Sequence, residues 1–291
     1  MKVTVAKPYG YCEGVVKAID LALAVRKDNP DMPISVLGML VHNERVVKHL
    51  EDNQITTINI PISEYEAFLK QAKPPLIIIF TAHGHDPKLD RIAQERGLIT
   101  YDATCKKVLH AFSLIEKALA KGQEVIYLGK KGHPEPIAAL ARGEKVFLYD
   151  VEGYFDYRQL KTKNPFVITQ TTLSLDEVKG FHLDIKARLP EAEIGNEICQ
   201  ATRLRQKAVK LLPMEVEHIY IIGSPRSSNT TRLALIAKTS HPRAKIRLVR
   251  GIHEINRDEL KGLTHVGVAS GASTPREVVH KVIDFLENFN Q

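Results

Sequence analysis

Tryptophan is missing from this chain, aromatic residues reach only 6%, and cysteine occurs three times in 291 residues. So few aromatics, with no zinc-finger spacing and no glycine-aromatic RNA-binding signature, leave little on which to stack bases, and nucleic acid is not an expected partner. An odd number of widely separated cysteines builds neither a disulfide framework nor a local zinc motif of the C-x-x-C kind. No apolar stretch approaches the roughly 18 residues needed to span a bilayer, and the opening "MKVTVAKPYG" carries no apolar core followed by a small-residue cleavage site. No G-x-x-x-x-G-K-[ST] phosphate loop is present either. The expectation is a soluble cytoplasmic protein with no membrane partner.

What is there is ordinary in bulk. Hydrophobic residues at 44% and charged residues at 26% suit a globular protein, and the length suffices for two or three compact units without staples. The net charge of +7 favours anionic partners, from phosphorylated metabolites to acidic proteins. The basic residues are scattered, so charge alone does not choose among them.

The three cysteines carry the organisation. Cys12, Cys105 and Cys199 lie 93 and 94 residues apart, and each opens a similar passage. A helix-like run follows each one, then an apolar run ("ISVLG", "EVIYLG", "HIYIIG"), then a polar turn holding His42, or His133 with Glu135, or Ser227, Ser228 and Asn229. Those turns begin 30, 28 and 28 residues after their cysteines. Further apolar runs, "LIIIF", "FVIT" and "HVGVAS", end in turns carrying His83, Thr171 and Ser273 at 71, 66 and 74 residues after the cysteines. Short apolar runs alternating with helical patterns predict right-handed βαβ connections and a parallel sheet in each unit. The expected fold class is α/β: three similar units with small parallel sheets, spanning 1–98, 99–190 and 191–291. Ligands of such sheets bind beyond the carboxyl ends of the strands. With those ends facing one axis, three thiols and three sets of polar turns share a central pocket.

A lone cysteine is usually a small buried hydrophobe. Three at repeat-equivalent turns ahead of helices, where the helix dipole favours a thiolate, read as ligands. They suit an iron–sulfur cluster with one iron open to substrate, or zinc with three thiolates and a water. Histidines at strand ends, with Ser, Thr and Asn at helix N-termini, form a cradle for anionic oxygens. Glu135 either complements a helix dipole or, enclosed beside a metal, transfers protons.

The ordered set "GYCEGV", "LVHN", "TAHG", "DATC", "GHPE", "TQTTLS", "CQATRLRQ", "GSPRSSNTTRL" and "ASGASTP", running from residue 10 to 275, resembles the 4-hydroxy-3-methylbut-2-enyl diphosphate reductases of the non-mevalonate isoprenoid pathway. The resemblance implies a trefoil-like, pseudo-threefold monomer around a 4Fe–4S cluster held by Cys12, Cys105 and Cys199. It implies diphosphate binding by His42, His83, His133, Ser227, Ser228, Asn229 and Ser273, and proton relay by Glu135 with Thr171 and Thr172. The implied oxidoreductase reaction is reductive dehydroxylation to isopentenyl and dimethylallyl diphosphates, with electrons from reduced ferredoxin or flavodoxin.

Some residues depart from the family's usual pattern. Around the first cysteine stand Tyr9, Tyr11 and Glu13 where the family commonly reads R-G-F-C-A-G, Lys106 replaces a proline after the second, "PIAALARG" replaces the usual glycine-containing segment after "HPE", and Arg203 and Leu204 replace small polar residues. Charges beside a cluster shift its potential. The departures motivate a second reading, a divergent paralogue with the same cluster and cradle acting on another phosphorylated substrate; the basic balance motivates a third, a cluster-based sensor.

Overall fold

The computed structural model describes residues 1–195 and 198–289. Its strands form three four-stranded sheets in which every pairing is parallel. The first holds β2 (Ile34–Leu37), β3 (Ile55–Ile58), β4 (Ile77–Phe80) and β5 (Ile99–Asp102) in the order β3-β2-β4-β5. The second holds β6 (Val125–Gly129), β7 (Val146–Asp150), β8 (Phe166–Thr169) and β9 (Glu193–Ile194) in the order β7-β6-β8-β9. The third takes β10 (His218–Ile222), β11 (Lys245–Val249) and β12 (His265–Ser270), and is completed by β1 (Lys2–Val5), in the order β1-β12-β10-β11.

The central strands are apolar without alternation because helices cover both faces of each sheet. In β4 all four residues are buried: Ile77 and Ile79 face one way, against α1 (Glu13–Asp28) and α2 (Glu44–Asp52), while Ile78 and Phe80 face α3 (Tyr65–Gln71) and α4 (Pro87–Glu95). The second sheet is likewise held between α5 (Lys106–Ala120) with α6 (Pro134–Leu140) and α7 (Leu175–Arg188). The third lies between α8 (Gln200–Lys210) with α9 (Ser228–Ser240) and α10 (Arg276–Glu287). Among the described residues no helix is long and apolar enough to cross a membrane.

The strands do not divide at residues 98 and 190. β5 and β9 lie beyond those positions yet close the first and second sheets, and β1 leaves its own sequence neighbours to pair with β12, Lys2 opposite His265 through Val5 opposite Val268. Each strand that precedes a cysteine is therefore the edge of one sheet, while the helix after that cysteine packs on the next. The cysteines mark the three handovers. This cyclic exchange gives the trefoil its closure and directs all three thiols inward.

Candidate functional site

Each cysteine is the N-cap of its helix: Cys12 for α1, Cys105 for α5, Cys199 for α8. N-cap side chains ordinarily accept a backbone N–H of the first turn. Cys12 and Cys199 show nothing of this kind, and at Cys105 the Lys107 and Val108 N–H groups lie near the sulfur without completing a capping bond, which leaves all three sulfurs available to another partner. All three are free thiols. All three line one cavity, and a Cβ placed on Gly14 would stand 2.6 Å from the Cys105 sulfur and 4.0 Å from that of Cys12. Glycine is required at 14 by this approach. The expected depression of the thiols by helix dipoles is outweighed at Cys105, where burial pushes the pKa up more than the N–H groups of Lys107 and Val108 lower it. Three soft sulfur donors with no capping duty fit a thiophilic metal centre.

All thirteen residues singled out from the sequence line one cavity of about 110 Å³: the three cysteines, His42, His83, His133, Glu135, Thr171, Thr172, Ser227, Ser228, Asn229 and Ser273. The histidines come from three strand ends and meet as a triad. His42 stacks on His83 with centroids 4.3 Å apart, and His133 stands edge-on to both at 5.4 and 5.6 Å. Their ring nitrogens lie within 4.8 Å of one another, a spacing a small ion would also suit. Burial lowers the pKa of each ring first, reinforced at His83 and His133 by neighbouring rings and at His42 by Arg226; His133 falls to about 3. The triad is neutral at pH 7. Larger clefts, of about 800 and 720 Å³, border it on two sides, one through His42 and His83, the other through His42, His133 and Ser228.

Local structure fixes these groups. His133 caps α6, its Nδ1 accepting the Glu135 N–H at 3.2 Å, and Ser227 caps α9, accepting from the Thr230 N–H. Thr172 donates to the Ser228 hydroxyl at 3.1 Å, and the Asn43 amide donates to the Ser273 carbonyl at 2.7 Å, tying the units to one another. The Asn229 amide is 4% exposed and neither its oxygen nor its nitrogen has a partner among the described residues. A buried amide with both ends unused costs free energy. It marks a place where a polar ligand belongs.

Glu135 is 1% exposed and receives three hydrogen bonds: the Thr171 N–H at 2.8 Å, the Thr171 hydroxyl at 2.9 Å and the Tyr127 hydroxyl at 3.0 Å. Those bonds favour the carboxylate, yet burial dominates and raises the pKa to about 7. A carboxyl there gives or takes a proton near neutrality. Tyr127 escaped the sequence reading; its only signal was a tyrosine inside the apolar run of β6. Two other residues, Arg205 and Gln206, were visible only as the end of "CQATRLRQ". Gln206 accepts the Leu175 N–H at 3.0 Å and donates to the Leu173 carbonyl at 2.9 Å, bracing the chain beyond Thr172.

The departures point away from the cavity. Glu13 is exposed and ion-paired with Lys17, Lys106 and Leu204 are exposed, Arg203 donates to the Ile198 carbonyl at 3.0 Å, and the Tyr9 hydroxyl meets His280 at 3.1 Å. None of these five lines the pocket, nor does Tyr11 or any residue of "PIAALARG".

Fold and site together define a pseudo-threefold α/β enzyme whose central pocket combines thiols, imidazoles and a buried carboxyl. The chain belongs to the LytB protein family, whose model matches residues 3–287. It is 40% identical to the 4-hydroxy-3-methylbut-2-enyl diphosphate reductase of Symbiobacterium thermophilum, over all of this chain and 98% of the relative. It is 37% identical to the reductase of that name from Geobacillus thermodenitrificans, over all of this chain and 91% of the relative. Among solved structures it is similar to the E-1-hydroxy-2-methyl-but-2-enyl-4-diphosphate reductase from Plasmodium falciparum, with a TM-score of 0.87 at 26% identity, covering 99% of this chain and 88% of that one. A second such structure, described as the terminal enzyme of the non-mevalonate pathway, matches with a TM-score of 0.69 at 26% identity, covering 99% of this chain and all of the other.

Proposed function

We propose that this protein reduces 4-hydroxy-3-methylbut-2-enyl diphosphate to isopentenyl and dimethylallyl diphosphates. Two electrons and two protons enter, the allylic carbon–oxygen bond breaks, and water leaves. The carrying observation is the buried Glu135–Thr171 pair opening on the cavity that also holds three uncapped thiols and the histidine triad.

Cys12, Cys105 and Cys199 would hold a 4Fe–4S cluster, which when bound supplies one-electron reducing equivalents and a Lewis-acidic iron. With three thiols and no fourth among the described residues, such a cluster would keep one iron without a protein ligand. The protein's own residues do the rest. His42, His83 and His133, with Ser227, Asn229 and Ser273, present imidazole, hydroxyl and amide donors to a diphosphate. The neutral triad receives protons as the anion enters, and the unused Asn229 amide gains a partner. These groups favour an anion over a metal on the histidines, since hydroxyls and an amide contribute nothing to a transition metal that imidazole does not already supply better. The Thr171 hydroxyl, bonded to Glu135, carries a proton to the leaving hydroxyl, and Glu135 replenishes it. Thr172, joined to Ser228, orients the far side.

We read the chain as a monomer, a reading supported by its own β1 completing the third sheet, acting in a reducing cytoplasm, where free thiols persist. A reduced ferredoxin or flavodoxin, acidic proteins, would be steered by the +7 surface. Because the departures lie outside the pocket lining, the divergent-paralogue reading has no structural footing.

Anaerobic purification with iron and sulfide analysis, followed by turnover of the diphosphate with dithionite and a viologen, tests the reading. About four irons per chain and both products are expected. Zinc without acid-labile sulfide overturns it, and a full cluster without turnover returns the substrate to the paralogue reading.

A further inference from the structure

Arg205 lies on α8, six residues after Cys199, and is 4% exposed. Its Nη2 donates to the Gly10 carbonyl at 2.6 Å, two residues before Cys12, and its Nη1 to the Ala201 carbonyl at 3.3 Å, two residues after Cys199. The Nε–H is buried with no partner. Among the described residues no carboxylate pairs with this guanidinium; the ionisable groups acting on it are the thiols of Cys12 and Cys199. A buried cation without a counter-ion is costly, and proteins ordinarily pair such a group. The fold nevertheless encloses one between two of the three cysteines.

We propose that Arg205 is the built-in counter-charge of the metal centre: a guanidinium held between the Cys12 and Cys199 turns whose partner is the negative charge of the thiolate-bound cluster. This rests on the reading that the three thiols hold a cluster. A cluster with three thiolates gains a further negative charge on reduction, and a fixed positive charge beside it favours the reduced form. Arg205 thus acts through the cluster and does not touch substrate. It sets how readily the centre accepts an electron, and it makes cluster binding and folding mutually supportive, because the cost of its burial is relieved only when the centre is filled.

The test compares wild type with Arg205→Gln, which can still donate to a carbonyl but lacks the charge, and Arg205→Lys, which keeps the charge without the fork. Two readouts are taken on the full chain: the cluster potential by electron paramagnetic resonance during a redox titration, and thermal melting of the cluster-loaded and metal-free forms. The Gln variant is expected to shift to a more negative potential and to melt lower when loaded. Its metal-free form is expected to melt no lower than wild type. The Lys variant is expected to keep the wild-type potential. An unchanged potential in the Gln variant overturns the inference, as does an equal shift in the Lys variant. Equal loss of stability in both forms, or a metal-free Gln variant that does not fold, assigns Arg205 to tethering carbonyls instead. A wild-type protein that takes up no cluster overturns the underlying reading, an outcome separate from all of these.

Discussion

Glu135 is where a single residue's environment converts most directly into a measurement. As the proposed acid that returns a proton to Thr171 it must be protonated, and its pKa in the free protein is about 7. The ratio kcat/KM is therefore expected to fall above pH 7, and Glu135→Gln to lower kcat by about 10²- to 10⁴-fold and abolish that limb. The same group has a stability signature. Its folded pKa stands above the ordinary 4.5, so its contribution is fully present below about pH 4.5 and lost as the pH rises through 7. At about 1.4 kcal/mol per pH interval the loss amounts to about 3 kcal/mol. Denaturant titrations of the metal-free protein at pH 5 and pH 8.5 should show wild type losing stability relative to Glu135→Gln at the higher pH; parallel behaviour would contradict the assignment. The histidine triad makes a second prediction of opposite sense. Its rings are held neutral by burial and by one another, and an entering diphosphate raises their pKa values. Binding of pyrophosphate near pH 7 should take up protons, seen by calorimetry in buffers of different ionisation enthalpy. No dependence on buffer would remove the triad from the cradle.

At the level of elements, the helix N-termini repay attention because they hold both the thiols and the polar turns. The apolar runs, the helix starts and the residues at their junctions were legible in the sequence, because period and turn chemistry are local. Tyr127 and Arg205 were not, for their roles arise from partners far along the chain: Arg205 meets Gly10 across 195 positions. The need for glycine at 14 has no local signal, since it comes from the sulfur of Cys105, 91 residues along the chain. Gly14→Ala should therefore act through Cys105. The added carbon forces α1 and α5 apart or turns the sulfur away, so iron content should drop well below wild type while the secondary structure by circular dichroism is retained. Full iron occupancy would mean the sulfurs do not converge there.

On the scale of the whole molecule, the near-equal spacing of the cysteines announced three units, but no local signal reveals which sheet an edge strand joins. An unbroken reading from each cysteine gives β1 to the first unit; the hydrogen bonds give it to the third. Its apolar residues face the cluster formed by β10, β12 and α10. Deleting residues 2–5 should consequently destabilise the far end of the chain. Hydrogen exchange in β12 should speed up, and Cys12, no longer anchored through the Gly10 N–H to the Ser270 hydroxyl at 3.0 Å, should cease to support metal binding. Unchanged protection in β12 would argue that the ring closes without β1.

That pairing also sets a timetable. β1 is made before every other described strand yet is among the last to find its place, because its partner lies some 263 residues downstream. During synthesis the first two sheets can complete themselves in order, since β5 and β9 are made directly after the strands they join. The third stays open until β12 has been made. Contacts so distant in sequence form slowly, and they bring Cys12 to its two counterparts only once β12 is in place, so a metal centre held by the three cysteines would be loaded after that point rather than while the first two sheets are being made.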